Sequence, residues 1–158
     1  MAKFDYEDLE RTELKLQFEN FTRSDAAALG ALVDNEAGRK GLPVSVEITI
    51  NGLVVFRYFQ DGCPAESNNW LRRKRNTVES QQMGSLRFGL LLERNGQTLE
   101  DNKMDPAEHA PGGGGMPINL RGTGTIGSVC VSGCPNHLDD QEIVTNALLR
   151  LLEMKESR

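Results

Sequence analysis

Few residues in this chain announce chemistry, and those that could act lie in two stretches. The first is Asn68-Asn69-Trp70-Leu71-Arg72-Arg73-Lys74-Arg75-Asn76, which holds the single tryptophan and four adjacent cations. Guanidinium and ammonium groups suit phosphate or carboxylate recognition. Successive helical residues point about 100° apart, so four in a row cannot face one ligand. One or two of them, with Arg72 and Arg73 foremost, can reach a cleft. The others read as solvated or as paired with acidic neighbours. Trp70 reads as a core or interface anchor rather than a stacking platform.

The second stretch is Pro111-Gly112-Gly113-Gly114-Gly115-Met116-Pro117. Its backbone N–H groups could form an anion-binding nest, and glycine lets a flat ligand approach the backbone. A mobile linker is the other reading, and both stay open. Asn69, Trp70, Arg72, Arg73, Gly113, Gly114 and Met116 are the candidate ligand-binding residues. For proton transfer the candidates are Glu108 and His109, which adjoin in the loop before the glycines. No nucleophile–base pair stands out.

Two other motifs carry less. Gly122-Thr123-Gly124-Thr125-Ile126-Gly127 matches the dinucleotide spacing, but that motif needs a strand before it and a helix after it. An apolar, strand-like run follows instead, so a hairpin connection is expected. Cys134-Pro135-Asn136-His137 has no second ligand pair, and no metal site is expected. Three cysteines make a poor disulfide framework. Cys63 precedes Pro64 in a loop, and Cys130 in its apolar run reads as a small buried hydrophobe.

The elements that must position these residues follow from periodicity. Residues 5–13 read as a short helix with Leu9 inward. Leu14, Leu16 and Phe18 alternate with polar residues and suggest a strand. Ser24 and Asp25 open a helix that Gly41 and Pro43 stop. Val44–Ile50 and Leu53–Phe59 flank Asn51-Gly52, the signature of a tight hairpin. A helix capped by Ser67, Asn68 or Asn69 runs from about Trp70 into the 80s and breaks near Met83-Gly84. A second helical piece reaches about Arg94, and Asn95-Gly96 ends it. Residues 97–116 form a long polar loop. Strands at Met116–Leu120 and Thr125–Ser132 follow. The last helix opens at Leu138 and carries Ile143, Val144, Ala147, Leu148, Leu151 and Leu152 inward. The order is α-β-α-β-β-α-α-β-β-α in one domain, 1–158. It implies an α/β chain of the α+β type, an antiparallel sheet flanked by helices.

Composition sets outer limits. Net charge is −5 with a pI of about 5.1, which argues against a nucleic-acid partner. No apolar run approaches the length of a bilayer span. The charged start Met1–Glu7 lacks a signal-type apolar segment, so a cytoplasmic location is expected.

Landmarks along most of the chain resemble an uncharacterised family related to the haem-degrading-domain superfamily, with its HbpS-like and GlcG-like proteins. They are Phe18-Glu19-Asn20-Phe21 before Asp25-Ala26, Gly41-Leu42-Pro43-Val44, and Asp61-Gly62 before Asn68–Lys74. Asp105-Pro106, Gly114-Gly115-Met116-Pro117-Ile118 and Gly127–Gly133 complete the set. The resemblance implies a profilin-like fold, homo-oligomers often built on dimers, and haem as a ligand in some relatives. Relatives commonly carry His-Gly-Gly before Phe-Pro-Ile. Here Gly112 holds the histidine position, His109 lies three residues earlier, and Met116 replaces the aromatic. Three functions follow as expectations. One is binding of a small anionic ligand, haem-like or a metabolite, between the tryptophan helix and the glycine loop. Another is an enzyme acting on a small carbonyl or carboxylate substrate in that pocket. The third is an oligomeric interaction module without a ligand.

Overall fold

Asn51 and Gly52, both at positive φ (50° and 80°), turn the chain back on itself between two paired strands. The computed structural model describes residues 4–158; Met1–Lys3, the first part of the charged start, lie outside them. In chain order the elements are α1 (Tyr6–Lys15), β1 (Gln17–Phe18), α2 (Arg23–Lys40), β2 (Ser45–Ile50), β3 (Leu53–Phe59), α3 (Ser67–Gln81) and α4 (Ser85–Arg94). A 3-10 turn (Glu100–Asn102), β4 (Gly115–Leu120), β5 (Gly124–Ser132) and α5 (His137–Glu156) follow. The strand order is β1-β4-β5-β2-β3. The short β1 pairs with β4 in parallel, and the other pairs are antiparallel. The order of helices and strands expected from periodicity is present, while the parallel β1–β4 pair departs from the expected antiparallel sheet.

The two faces of the sheet differ in chemistry. Val46, Ile48, Met116, Ile118, Val129 and Val131 are buried in one apolar cluster. Ala26, Leu29 and Val33 of α2 and Ile143, Val144 and Leu148 of α5 complete that cluster. The alternate residues are polar and also buried. In register, Ser45 lies opposite Ser132, Glu47 opposite Cys130 and Thr49 opposite Ser128. The Ser45 hydroxyl donates to the Ser132 carbonyl at 2.9 Å, and α3 and β3 supply partners for Glu47, Thr49 and Ser128. Glu79 accepts from the hydroxyls of Thr49 at 2.5 Å and Ser128 at 2.8 Å. Glu47 receives Arg75 at 2.6 Å and Arg57 at 2.8 Å. Polar groups this deep are retained where such partners exist, so α3 is held to the sheet by hydrogen bonds and ion pairs.

Several local expectations change. The alternation at Leu14–Phe18 is mostly helical: α1 continues to Lys15 and leaves Leu14 68% exposed. Only Gln17 and Phe18 join the sheet. Thr22, not Ser24, caps α2. Its hydroxyl accepts the Asp25 N–H at 3.1 Å, and the Asp25 carboxylate accepts the Thr22 N–H at 2.9 Å, a capping box. Helix α3 starts at Ser67 with no side-chain cap. Its first amides instead donate backward to Pro64, Ala65 and Glu66 carbonyls, while the Asn68 and Asn69 side-chain oxygens accept from Arg57 and Arg72. Trp70 is 39% exposed, not part of the core. The break expected near Met83-Gly84 falls between α3 and α4. Residues 97–114 contain the 3-10 turn, and Leu99 and Met104 pack with Phe88 and Leu92. Gly122 lies in the turn between β4 and β5, so the glycine motif is the expected hairpin. Gly127, within β5, permits close packing against β2, since a Cβ would lie 1.9 Å from the Thr49 carbonyl oxygen.

Candidate functional site

The start of α3, the glycine loop and the start of α5 enclose a cleft of about 700 Å³. Trp70, Arg73 and Lys74 line it from α3, Pro111 to Gly113 from the loop, and His137 and Asp140 from α5. Ser132 and Cys134 contribute from the end of β5 and beyond. The volume is typical of small-molecule sites.

Each cation of the Arg72–Arg75 run has its own destination. Arg72 pairs with Glu108 and with the Asn69 side chain. Arg73 donates to the Pro106 carbonyl at 2.9 Å and the His109 carbonyl at 3.2 Å. Its guanidinium also stacks 4.2 Å from the Trp70 ring centroid, a cation–π contact. Lys74 is 4% exposed; its Nζ donates to the Val131 carbonyl at 2.8 Å and to Asp140 Oδ2 at 3.3 Å. Arg75 turns under the helix to Glu47. The helical spread of four adjacent residues dictates this divergence.

Side chains order the glycine loop. The Gly113 N–H donates to His137 Nδ1 at 2.8 Å, Gly114 to Gln141 Oε1 at 3.0 Å and Gly115 to Ser85 Oγ at 3.0 Å. These three amides therefore offer no free nest to an anion. Gly114 has φ +120°, and a Cβ there would lie 2.3 Å from the Val131 oxygen and 2.8 Å from Lys74 Nζ. Its missing side chain is the space that the ammonium occupies.

Of the candidates read from sequence, Trp70, Arg73 and Gly113 are in the cleft wall. Gly114 lies behind it, against Lys74. Met116 is 1% exposed, its sulfur 3.4 Å from the Gln141 amide nitrogen, within the core. Asn69, Arg72 and Glu108 form an exposed cluster beside the wall. His109 Nδ1 donates to the Asp105 carbonyl at 2.9 Å, and only its backbone meets Arg73. The cleft histidine is His137. It accepts the Gly113 N–H at Nδ1, so a neutral ring carries its proton on Nε2.

Lys74, Asp140 and His137 line the cleft beside those candidates. Spacing marks the first two. Lys74 sits three residues after Leu71 and four before Val78, on the buried stripe of α3. Asp140 precedes Ile143 by three and Val144 by four, on the buried stripe of α5. A charge on an apolar stripe is a buried charge and needs a partner. Burial raises the Asp140 carboxyl above its ordinary range, against the opposing pull of Lys74. Burial, then Asp140, raises the Cys134 thiol, so it stays protonated. Burial likewise pushes Cys130 up to about 12. No His/Cys/Asp/Glu group able to hold a metal exists among the described residues.

The chain matches the family model described as haem-degrading protein HbpS-like over residues 21–148. A UPF0303 protein of Rhizobium etli is 41% identical over 140 residues, covering 89% of this chain and 85% of that protein. Among solved structures, the Ybr137w protein superposes with a TM-score of 0.86 at 24% identity, covering 98% of this chain and 91% of that one. PduOC, solved as a haem complex, superposes with a TM-score of 0.69 at 19% identity, covering 82% and 93%. Those two likenesses speak to the fold. The family match and the Rhizobium relative go further: the chain belongs to the HbpS-like family, among its UPF0303 proteins.

Proposed function

We propose that this protein binds a flat, anionic small molecule, a haem-like tetrapyrrole or a metabolite, in the cleft between α3 and the glycine loop. The carrying observation is the stacked Trp70–Arg73 pair set in one wall with Lys74 and His137. An indole–guanidinium stack gives a planar ligand an extended surface, and the two cations receive its carboxylates. The haem complex of PduOC supports a tetrapyrrole within this fold.

Iron ligation fits less well than ring stacking. A metal-bound histidine donates its second ring N–H to a neighbour. His137 does the reverse, accepting from Gly113 at 2.8 Å, so its Nε2 bears the proton where a metal would bind. His109 has the suitable arrangement, with Nδ1 donating to Asp105, but it does not line the cleft. The porphyrin periphery, not the metal, then governs affinity.

Absorbance titrations with haemin and with metal-free protoporphyrin IX test this. Both should bind with similar affinity. Arg73→Ala should weaken both about tenfold, the scale of one charge-assisted contact, while His109→Ala leaves both unchanged. Haemin binding that vanishes without iron, or that depends on His109, would overturn it.

The working form we propose is a cytoplasmic homo-oligomer. The edge strand β3 exposes Leu53, Val54 and Tyr58 by 42% to 51%, and a covered edge removes an aggregation hazard. No helix among the described residues is long and apolar enough to cross a membrane.

A further inference from the structure

Lys74 differs from the other cations of its run in being buried in the cleft floor. An ammonium has three donors. Two are used, at 2.8 Å on Val131 and 3.3 Å on Asp140, and among the described residues no acceptor takes the third. Lys74 nonetheless lines the cleft, so the third direction is the one a ligand can meet. Arg73 leaves a donor in the same way. Its Nε and Nη2 hold backbone carbonyls, and no described residue holds its Nη1. His137, with Nδ1 taken by Gly113, presents Nε2–H.

We propose that Lys74 is a carbonyl-capturing amine: a monocarboxylic 2-oxo acid enters the cleft, Arg73 receives its carboxylate, and Lys74 Nζ condenses with its carbonyl carbon. This deepens the cleft-binding reading and rests on it. The balance is internal. Nζ forms a bond to the carbonyl carbon, and the carbon–oxygen bond breaks. Two ammonium hydrogens leave with that oxygen as water. The third stays on the iminium nitrogen, whose positive charge faces Asp140. To attack, Nζ must first shed a proton, and Asp140 Oδ2 is an adjacent acceptor. Its carboxyl, raised by burial, is the better suited to take one. His137 Nε2–H polarises the carbonyl and then the departing oxygen. Lysine, unlike arginine, can form such an imine once desolvated.

The test uses the full chain with pyruvate as probe and cyanoborohydride to reduce any imine to a stable secondary amine, followed by peptide mass mapping. Exposed Lys15 and Lys103 are internal controls. Lys74 should be modified about tenfold faster than either, as orientation in a site predicts. Acetone, which lacks the carboxylate, should lose that preference, and Arg73→Met should remove it while Lys15 reacts as before. Lys74 reacting no faster than Lys15, or equally with acetone, overturns the proposal. The wild-type mapping needs no variant to fold. Tetrapyrrole binding without Lys74 labelling refutes this inference alone. Lys74 labelling without tetrapyrrole binding supports it, together with the metabolite reading of the cleft, and refutes the tetrapyrrole reading instead.

Discussion

Glu13 shows how a single buried carboxylate ties a terminal helix to the site. It is 6% exposed and accepts the Gly84 N–H at 3.2 Å. The next residue, Ser85, donates to the Gly112 carbonyl at 2.5 Å and accepts from the Gly115 amide at 3.0 Å, so α1 supports the glycine loop through two residues. Burial raises the Glu13 carboxyl from 4.5 to about 7, despite Arg87 and the Gly84 amide. Between those values the folded chain holds a proton that the unfolded chain has released, so stability falls as pH rises through the window. Glu13→Gln, which mimics the protonated form, should raise the melting temperature at pH 8 by an amount worth about 2 kcal/mol. It should change little at pH 4.5; an equal effect at both values would contradict the assignment. Among the residues lining the cleft, Trp70, Arg73 and Gly113 are marked in the sequence by type and loop composition. Lys74 and Asp140 are not, because a lone charge in a helix looks solvated until the stripe it sits on is known to be buried.

Elements were more legible than residues. Helix α5 and the β2–β3 hairpin follow from periodicity and Asn-Gly alone. Structure and expectation differ at helix ends, where competing local partners decide. Asn68 and Asn69 have the chemistry of caps, yet their oxygens accept from arginines, and α3 starts by continuing a backbone turn. At α2 both Thr22 and Ser24 could cap, and the reciprocal bond with Asp25 selects Thr22. Thr22→Ala should cost about 1 kcal/mol in urea unfolding, while Ser24→Ala costs a few tenths; the reverse order would restore the alternative cap. The loop after α4 looked structureless because its order is not periodic. Leu99 and Met104 pack on Phe88 and Leu92, and the glycine amides find side chains from two helices.

For the whole molecule, the two-faced sheet organises everything else. One face carries the apolar core under α2 and α5, and the other carries the hydrogen bonds and ion pairs under α3. The cleft opens where α3, the loop and α5 meet at one end of that polar face, which sequence order alone could not bring together. The proposed assembly would use the edge strand β3. Tyr58→Asp or Leu53→Asp should shift the proposed oligomer toward monomer in light scattering without altering the cleft, since a buried charge at an interface core goes unpaired. An unchanged mass would move the interface elsewhere. The central claim, a flat anionic ligand stacked at Trp70, has a local reporter because the chain holds one tryptophan. Its indole N–H gives a single resonance in a nitrogen-15 spectrum. Titration with metal-free protoporphyrin IX should move that resonance by ring current and saturate at one ligand per chain, with the midpoint about tenfold higher in Arg73→Ala. An indole resonance that stays in place at saturating ligand would contradict the account.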